Sequence, residues 1–320
     1  MSTSGVNRDG HAKIILLVIT VIWGLNTPIM KIGLMSLSPM VYNACRLVIA
    51  AILSLAVLLI TKSHKPMPIA DLKKIAVIGV LGFFFNQLFI MFGMSQTTAG
   101  NSALLFATLP VEVALINRIF KIEVISRRMT AGIITGLLGV FLVVLGSDKE
   151  LSLLGPHLIG AILLLIGQFC YGYYTVFIKE LSNRYSVYQI FAYVMVFNAG
   201  LFLVIALPEL KMTEWKSISE AAVYSIFFSS IFALVMGNLV WIWVVGILGT
   251  TKATLSQYSG PVVSIAFAWV YLDETFGLLQ FIGAVVILVG LYLTLNQPPA
   301  KATMISGEMP MEREHPLRNL

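Results

Sequence analysis

Of 320 residues, 58% are hydrophobic and only 11% are charged, against about 25% charged in soluble domains. A water-soluble protein of this length has nowhere to bury so much apolar surface, so a soluble enzyme or soluble binding module is excluded. The net charge of +6 and pI near 9.3 imply no nucleic-acid partner, because the placement of the basic residues along the chain explains them by membrane orientation.

A polar tail over residues 1–13 opens the chain. Apolar stretches of lipid-crossing length follow near 14–34, 40–60, 75–95, 99–117 and 129–146, then near 157–178, 187–207, 222–246, 253–272 and 277–295. Each is about the 20 residues that a helix needs to cross roughly 30 Å of hydrocarbon. The expected fold is therefore an all-α integral membrane protein of ten transmembrane helices, with the lipid bilayer as its solvent. The first run is too long for a signal peptide and lacks a small-residue cleavage site, so it reads as a retained span. Residues 298–320, including "PPAKATMISGEMPMEREHP", have the composition of a disordered tail.

Placing the N-terminus in the cytoplasm puts sixteen basic residues inside and four (Lys31, Lys149, Lys211 and Lys216) outside, with Arg46 left within a span. The bias predicts a multi-pass protein of the cytoplasmic (inner) membrane with both termini cytoplasmic. Cys45 and Cys170 fall inside spans and suggest no disulfide framework. His11, His64, His157 and His315 are scattered and show no zinc or haem spacing. The sequence has no HExxH, GxSxG or glycine-rich phosphate loop, so it offers no catalytic residue, metal site or cofactor and the chain is not read as an enzyme. Without a nucleotide-binding segment, energy for any transport would come from an ion gradient, from exchange or from the substrate's own gradient.

Internal repetition is the next signal. Pro110 and Pro261, Glu123 and Glu274, Gly132 and Gly283, and Gly139 and Gly290 share an offset of 151; Gly24 and Gly172, Thr27 and Thr175, and Lys31 and Lys179 share an offset of 148. Two repeats of five spans, at 14–146 and 157–295, would enter the membrane in opposite directions because five is odd. Inverted repeats of this kind build many secondary transporters, whose substrate site lies near the midplane between the halves.

The stretch "CRLVIAAILSLAVLLI", a basic loop, and then "NQLFIMFGMSQTTAGNSALLFATLPVEVALINRIFKIEVISRRMTAGIITGLLGVFLVVLG" resemble the EamA-like family of the drug/metabolite transporter superfamily. "TTKATLSQYSGPVVSIAFAWVYLDETFGLLQFIGAVVILVGLYL" repeats the pattern of proline, helix-end acid and spaced glycines. The resemblance covers roughly residues 14–295. It implies two inverted five-helix repeats around a central cavity, and export of small metabolites, amino acids or drug-like compounds by alternating access. A channel or a non-transporting membrane scaffold is the alternative.

Lipid offers no partner to polar groups inside spans, so these groups should face the bundle interior. The cavity candidates are Trp23, Asn26, Gln87, Glu112, Gln168, Tyr171, Tyr174, Asn238, Trp241, Gln257 and Tyr258. Trp23, Thr27 and Met30 share one helix face, as do Gln168, Tyr171 and Thr175. The competing reading is that these side chains tie helices together or pack as aromatics. Pro28, Pro110 and Pro261 bend their helices and leave unpaired the carbonyls of Gly24, Phe106 and Gln257.

Arg46 and Glu112 are the coupling or gating candidates, since an ionised group at this depth costs at least about 2.5 kcal/mol. They lie about 9 Å and about 20 Å from the outer ends of their spans, so a direct ion pair is at the limit of reach. For Arg46, the family resemblance implies packing of the outer half or closing of an outer gate. Glu112 has Val263 as its repeat equivalent, and the family usually places apolar residues after this proline. Its Cβ points toward the outer helix start, which disfavours snorkelling to the nearer cytoplasmic face. Proton or substrate antiport through Glu112 is the expected coupling of a small-molecule substrate. Glu123 and Glu274 are expected to cap the starts of the helices that follow them.

Overall fold

The structure is a computed structural model that describes residues 3–120, 127–146, 156–248 and 259–295, and among these it contains helices and no strand. In chain order they are α1 (Thr3–Leu34), α2 (Pro39–Ile60), α3 (Ile69–Gln96), α4 (Ala99–Ile119), α5 (Arg127–Leu145), α6 (Pro156–Ser182), α7 (Val187–Met212), α8 (Glu220–Phe228 continuing to Gly237–Leu248), α9 (Ser259–Tyr271) and α10 (Leu278–Leu295). Six of them, α2, α3, α4, α6, α7 and α8, are long and apolar enough to cross a membrane, and α1, α5, α9 and α10 contribute shorter apolar stretches. The predicted segment 253–272 is described from Ser259 onward; Glu123 lies outside the described residues.

Helix starts follow from short polar side chains. Ser38, Thr98, Ser186 and Ser219 each accept the backbone N–H three residues on, at 3.2–3.3 Å, and Pro39 sits in the first turn of α2, where its missing N–H costs nothing. The outward faces are apolar: Leu59, Val204 and Phe281 are 75%, 73% and 66% exposed. In water such exposure would drive aggregation, whereas in hydrocarbon it is the required surface.

Three of the helices are not uniform. α3 widens into a π-helical stretch at Gly79–Phe84 and α8 into another at Ser229–Met236. α4 breaks at Ala107 and Thr108, and Pro110 then lies in the first turn of its second part. Pro28, by contrast, sits within the continuous α1.

The packing pairs α5 with α10 and α2 with α7. It also sets α3 on α6 as α8 sets on α1, and α1 on α9 as α6 sets on α4. Glycines bring α5 and α10 into backbone contact. A Cβ on Gly139 would stand 2.6 Å from the Ile287 nitrogen and 2.8 Å from the Gly283 oxygen, and one on Gly290 would stand 2.6 Å from the Gly132 oxygen. Only small residues allow such an approach, which is how helices bind each other where no hydrophobic effect separates them from lipid. Ser38 hydrogen-bonds Glu209 at the end of α7, while Ser186 donates to the Ser63 carbonyl just after α2 at 3.0 Å.

Charged groups do structural work at both ends. Glu274 caps a distant helix, not the next one as expected: its two carboxylate oxygens accept the Ala99 and Gly100 N–H groups at the start of α4, at 2.7 and 2.9 Å. The start of α10 is served instead by Gln280, which accepts the Gly277 N–H at 2.7 Å. The reason is that the chain folds Glu274 against the first unpaired donors of α4, where the helix dipole favours a carboxylate. Lys31 donates to the Met94 and Thr97 carbonyls at 2.7 and 2.6 Å, capping the end of α3. At the opposite end of α3, Asp71 accepts both guanidinium nitrogens of Arg184 at 3.0 Å and the Tyr185 hydroxyl at 2.5 Å. That hydrogen bond to Asp71 holds the Tyr185 hydroxyl above its usual pKa.

Replacing Gly139 by Leu should lower stability in detergent by at least about 1–3 kcal/mol, because the backbone of α10 has no room to yield. Gly200→Ala, with nothing within 4 Å of the new Cβ, should be neutral or slightly stabilising. Thermal unfolding of the two variants beside the parent protein checks the contrast.

Candidate functional site

A cavity of about 120 Å³ lies within the bundle. Its wall is built by Trp23, Asn26, Thr27 and Met30 of α1, Arg46 of α2, Phe83, Asn86, Gln87 and Ile90 of α3, Phe106 and Leu109 of α4, Gln168 and Tyr171 of α6, and Ala233, Leu234 and Asn238 of α8. Both sequence halves therefore contribute. The π-helical stretches of α3 and α8 supply Phe83 and Ala233 with Leu234, in line with the frequent occurrence of such widened turns at functional sites.

Seven of the predicted side chains meet there: Trp23, Asn26, Arg46, Gln87, Gln168, Tyr171 and Asn238. Glu112, Tyr174 and Trp241 are buried and do not line it. Gln257 and Tyr258 lie outside the described residues.

Several polar groups are already committed to neighbouring backbone. Gln168 Nε2 donates to the Phe106 carbonyl at 2.9 Å, which is the acceptor that Pro110 frees from its helix. That carbonyl is thus occupied by the protein itself. Trp23 Nε1 donates to the Ala233 carbonyl of the α8 π-turn at 2.9 Å. Asn86 Nδ2 donates to the Gly167 carbonyl at 2.9 Å. Tyr171 donates to Asn238 Oδ1 at 3.2 Å, and Asn238 Nδ2 donates to the Leu234 carbonyl at 3.0 Å.

Aromatic rings form one side of the cavity. Trp23 and Trp241 have centroids 5.4 Å apart, Tyr171 lies 6.2 Å from Trp241 and 5.7 Å from Tyr174, and Phe83 lies 5.5 Å from Tyr174. Trp241 is fully buried and donates to Thr175 at 3.3 Å. It supports the wall from behind, so the packing and lining readings of this group both apply, to different members.

Arg46 is 2% exposed. Its Nη1 donates to Asn43 Oδ1 at 3.1 Å and lies 3.7 Å from the Met91 sulfur, and its guanidinium sits 5.6 Å from the Tyr42 ring centre. Nε has no partner, and among the described residues no carboxylate lies within 4.0 Å of the guanidinium. The direct pair with Glu112 that the depth estimate left at the limit of reach is therefore not formed.

Glu112 is 8% exposed. The Thr108 hydroxyl lies 3.0 Å from Glu112 Oε1 and 2.7 Å from the Leu105 carbonyl, while Oε2 has no partner. An unpaired buried polar atom costs about 1–3 kcal/mol and a charged one more, so both residues are expensive as they stand.

The sequence matches the model of the EamA-like transporter family twice, over residues 12–145 and 158–296. The chain belongs to the EamA-like transporter family. It is 24% identical over 280 residues to the uncharacterized transporter YoaV of Bacillus subtilis, covering 87% of this chain and 94% of that one. It is 25% identical over 297 residues to a probable amino-acid metabolite efflux pump of Escherichia coli, covering 90% and 95%. One solved crystal structure superposes with a TM-score of 0.64 at 16% identity, covering 89% of this chain and 96% of that chain; at that identity the likeness bears on fold alone. This EamA-like protein is accordingly a multi-pass membrane protein and a membrane transporter by family.

The cavity residues that polarity did not mark are Phe83, Ile90, Phe106, Leu109, Ala233 and Leu234. Nothing in an apolar side chain distinguishes a cavity wall from a lipid face, and the π-turns that present three of them have no sequence signature beyond Gly79 and Gly82.

Gln168→Leu should leave the Phe106 carbonyl unpaired in a dry environment and lower stability by about 1–3 kcal/mol. Gln168→Glu, which has no hydrogen-bond donor when ionised, should be at least as destabilised at neutral pH and should recover as the pH falls and the carboxyl regains a proton. Unfolding midpoints across pH check both.

Proposed function

We propose that this EamA-like protein is a secondary transporter that exports small metabolites across the cytoplasmic membrane by alternating access between two inverted repeats. The observation that carries the reading is a polar and aromatic cavity whose wall comes from both halves of the chain. The glycine contacts support the inversion. Gly139 meets Gly283 and Gly132 meets Gly290, so each glycine touches the repeat equivalent of the other, as a two-fold relation between antiparallel helices requires. Ser38 and Ser186, at the same offset of 148, repeat that exchange between α2 and α7.

Glu112 is the proposed proton carrier. One hydroxyl proton on Thr108 cannot serve both the Leu105 carbonyl and Glu112. When Glu112 is protonated on Oε1 it can donate to Thr108 Oγ1, leaving the hydroxyl proton for the Leu105 carbonyl. Ionised, it competes with that carbonyl for the one hydroxyl proton. Loss of the proton is then coupled to a rearrangement of the α4 break, where Thr108 itself sits. The amino-acid metabolite efflux named for the Escherichia coli relative fits a cavity of this polar and aromatic character.

Two measurements test the reading. Cells that overproduce the protein should accumulate extracellular metabolites that cells carrying Glu112→Gln do not. In inside-out vesicles, a pH gradient should accelerate uptake by the parent protein. Glu112→Gln should abolish that dependence, and normal flux with an unchanged proton dependence would remove Glu112 from the mechanism.

A further inference from the structure

Two lysines that the repeat makes equivalent behave differently in this conformation. Lys31, in the last turn of α1, donates to the Met94 and Thr97 carbonyls at the end of α3, at 2.7 and 2.6 Å. Lys179, in the last turn of α6, is exposed. Among the described residues it makes no hydrogen bond and has no carboxylate within 4.0 Å.

The surroundings of the two lysines are repeated as well. The spans of α3 and α8, Ile69–Gln96 and Glu220–Ile247, are displaced by the same offset at both ends, so Val245 and Leu248 are the counterparts of Met94 and Thr97. Successive contacts of Tyr171 with Asn238 and of Thr175 with Trp241 show that α6 and α8 run parallel. Lys179 and Val245 each stand four residues, or about one turn, beyond the second of these contacts. Lys179 is therefore level with the acceptors that correspond to those of Lys31, and it holds none of them.

The bonds of Lys31 join helices that otherwise pack in different groups. α1 packs on α8 and α9, whereas α6 packs on α3 and α4. Glu274, which follows α9, reinforces the tie by capping the start of α4, and its carboxylate attracts Lys31. The end of α6 lies at the start of α3, where Arg184 meets Asp71, and the end of α1 lies at its finish. The two lysines thus stand at opposite ends of the bundle. Side chains that only capped a neighbouring helix would be engaged in both halves. Alternating access requires the contrary, since the contacts that close one end have to be absent from the other.

We infer that Lys31 and Lys179 are alternating latches. Lys31 holds its end of the bundle closed in this conformation, and as that end opens Lys179 takes the Val245 and Leu248 carbonyls and closes the other. Exchanging one pair of charged hydrogen bonds for an equivalent pair keeps the two conformations close in free energy, so that a small differential affinity is enough to shift between them. Neither lysine lines the cavity, so the device is independent of what is carried. The inference rests on the alternating-access reading and adds to it the residues that set which end is open.

Spin labels on a Cys45→Ser, Cys170→Ser background read the two ends. Met35 and Gln96 flank the Lys31 latch, Asn183 and Ile247 are their repeat counterparts, and all four are exposed. Double electron–electron resonance on the full chain in proteoliposomes should find the Met35–Gln96 pair predominantly short. Lys31→Gln should raise its ratio of long to short distances at least about tenfold, the value of one charged hydrogen bond, and shift Asn183–Ile247 toward short distances by the same factor. Lys31→Arg should stay nearer the parent. A Lys31→Gln that widens only its own end, or moves neither, overturns the inference and leaves transport standing. Lengthening at both ends together overturns alternating access with it. If Lys31→Gln does not fold, Lys179→Gln decides, because it breaks no bond in this conformation. Its thermal unfolding should match the parent while export of metabolites from overproducing cells falls at least about tenfold, and Lys179→Arg should recover that export. Export by Lys179→Gln at the parent rate overturns the inference, and a folded parent that exports nothing overturns the transporter reading and the inference with it.

Discussion

Hydrocarbon offers no partner to a backbone carbonyl or amide, so wherever a helix of this protein breaks, widens or ends within the membrane, another helix has to supply the missing hydrogen bond. Gln168 reaches from α6 to the Phe106 carbonyl in front of the α4 break, and Trp23 reaches from α1 to the Ala233 carbonyl in the α8 π-turn. Lys31 closes the end of α3 and Glu274 closes the start of α4. These bonds are individually modest, averaging about 0.6 kcal/mol where measured in membranes. Their larger effect is positional, because each fixes one helix relative to another across the interior and so shapes the cavity between them.

The same constraint sorts polar residues into two groups. A polar side chain that repairs backbone is consumed by that task, and its remaining atom is determined by geometry. Asn86, Gln168 and Asn238 belong here, as does Trp23. Arg46 and Glu112 repair no backbone. Both are buried, both lack an opposite charge among the described residues, and both occupy positions where the other repeat carries valine, Val194 and Val263. Symmetric positions carry the architecture, as the glycines of α5 and α10 and the serine caps of α2 and α7 illustrate. Asymmetric positions are where a substrate or a proton can be recognised without disturbing it.

The helical membrane character was legible in the sequence, for a physical reason. Burial in lipid requires long apolar runs, so the apolar helices, and the conspicuous polar residues within them, could be read from residue types alone. What could not be read depends on where helices deviate from regular geometry. The π-turns at Gly79–Phe84 and Ser229–Met236 look like ordinary apolar helix, and the apolar residues they turn inward carry no mark of it. Glu274 showed itself as a helix-end acid, but its partner, 174 residues away along the chain, is a product of tertiary packing and not of local spacing. The Phe106 carbonyl was identifiable as freed by Pro110, whereas its capture by Gln168 was not.

The separation of Arg46 from Glu112 has its own consequence. A buried pair of opposite charges that meet neutralise each other and then resist any change, since removing one leaves the other uncompensated. Held apart, each remains unsatisfied, and its burial is a standing cost that a ligand or a proton can relieve. An anion brought to Arg46 or a proton brought to Glu112 would each relieve part of that cost. Binding free energy that is released only on loading is what a transport cycle needs, because a ligand shifts a two-state equilibrium only by its differential affinity for the two states. Pairing the two charges would make a more stable helix bundle, and it would leave that bundle with less to gain from substrate.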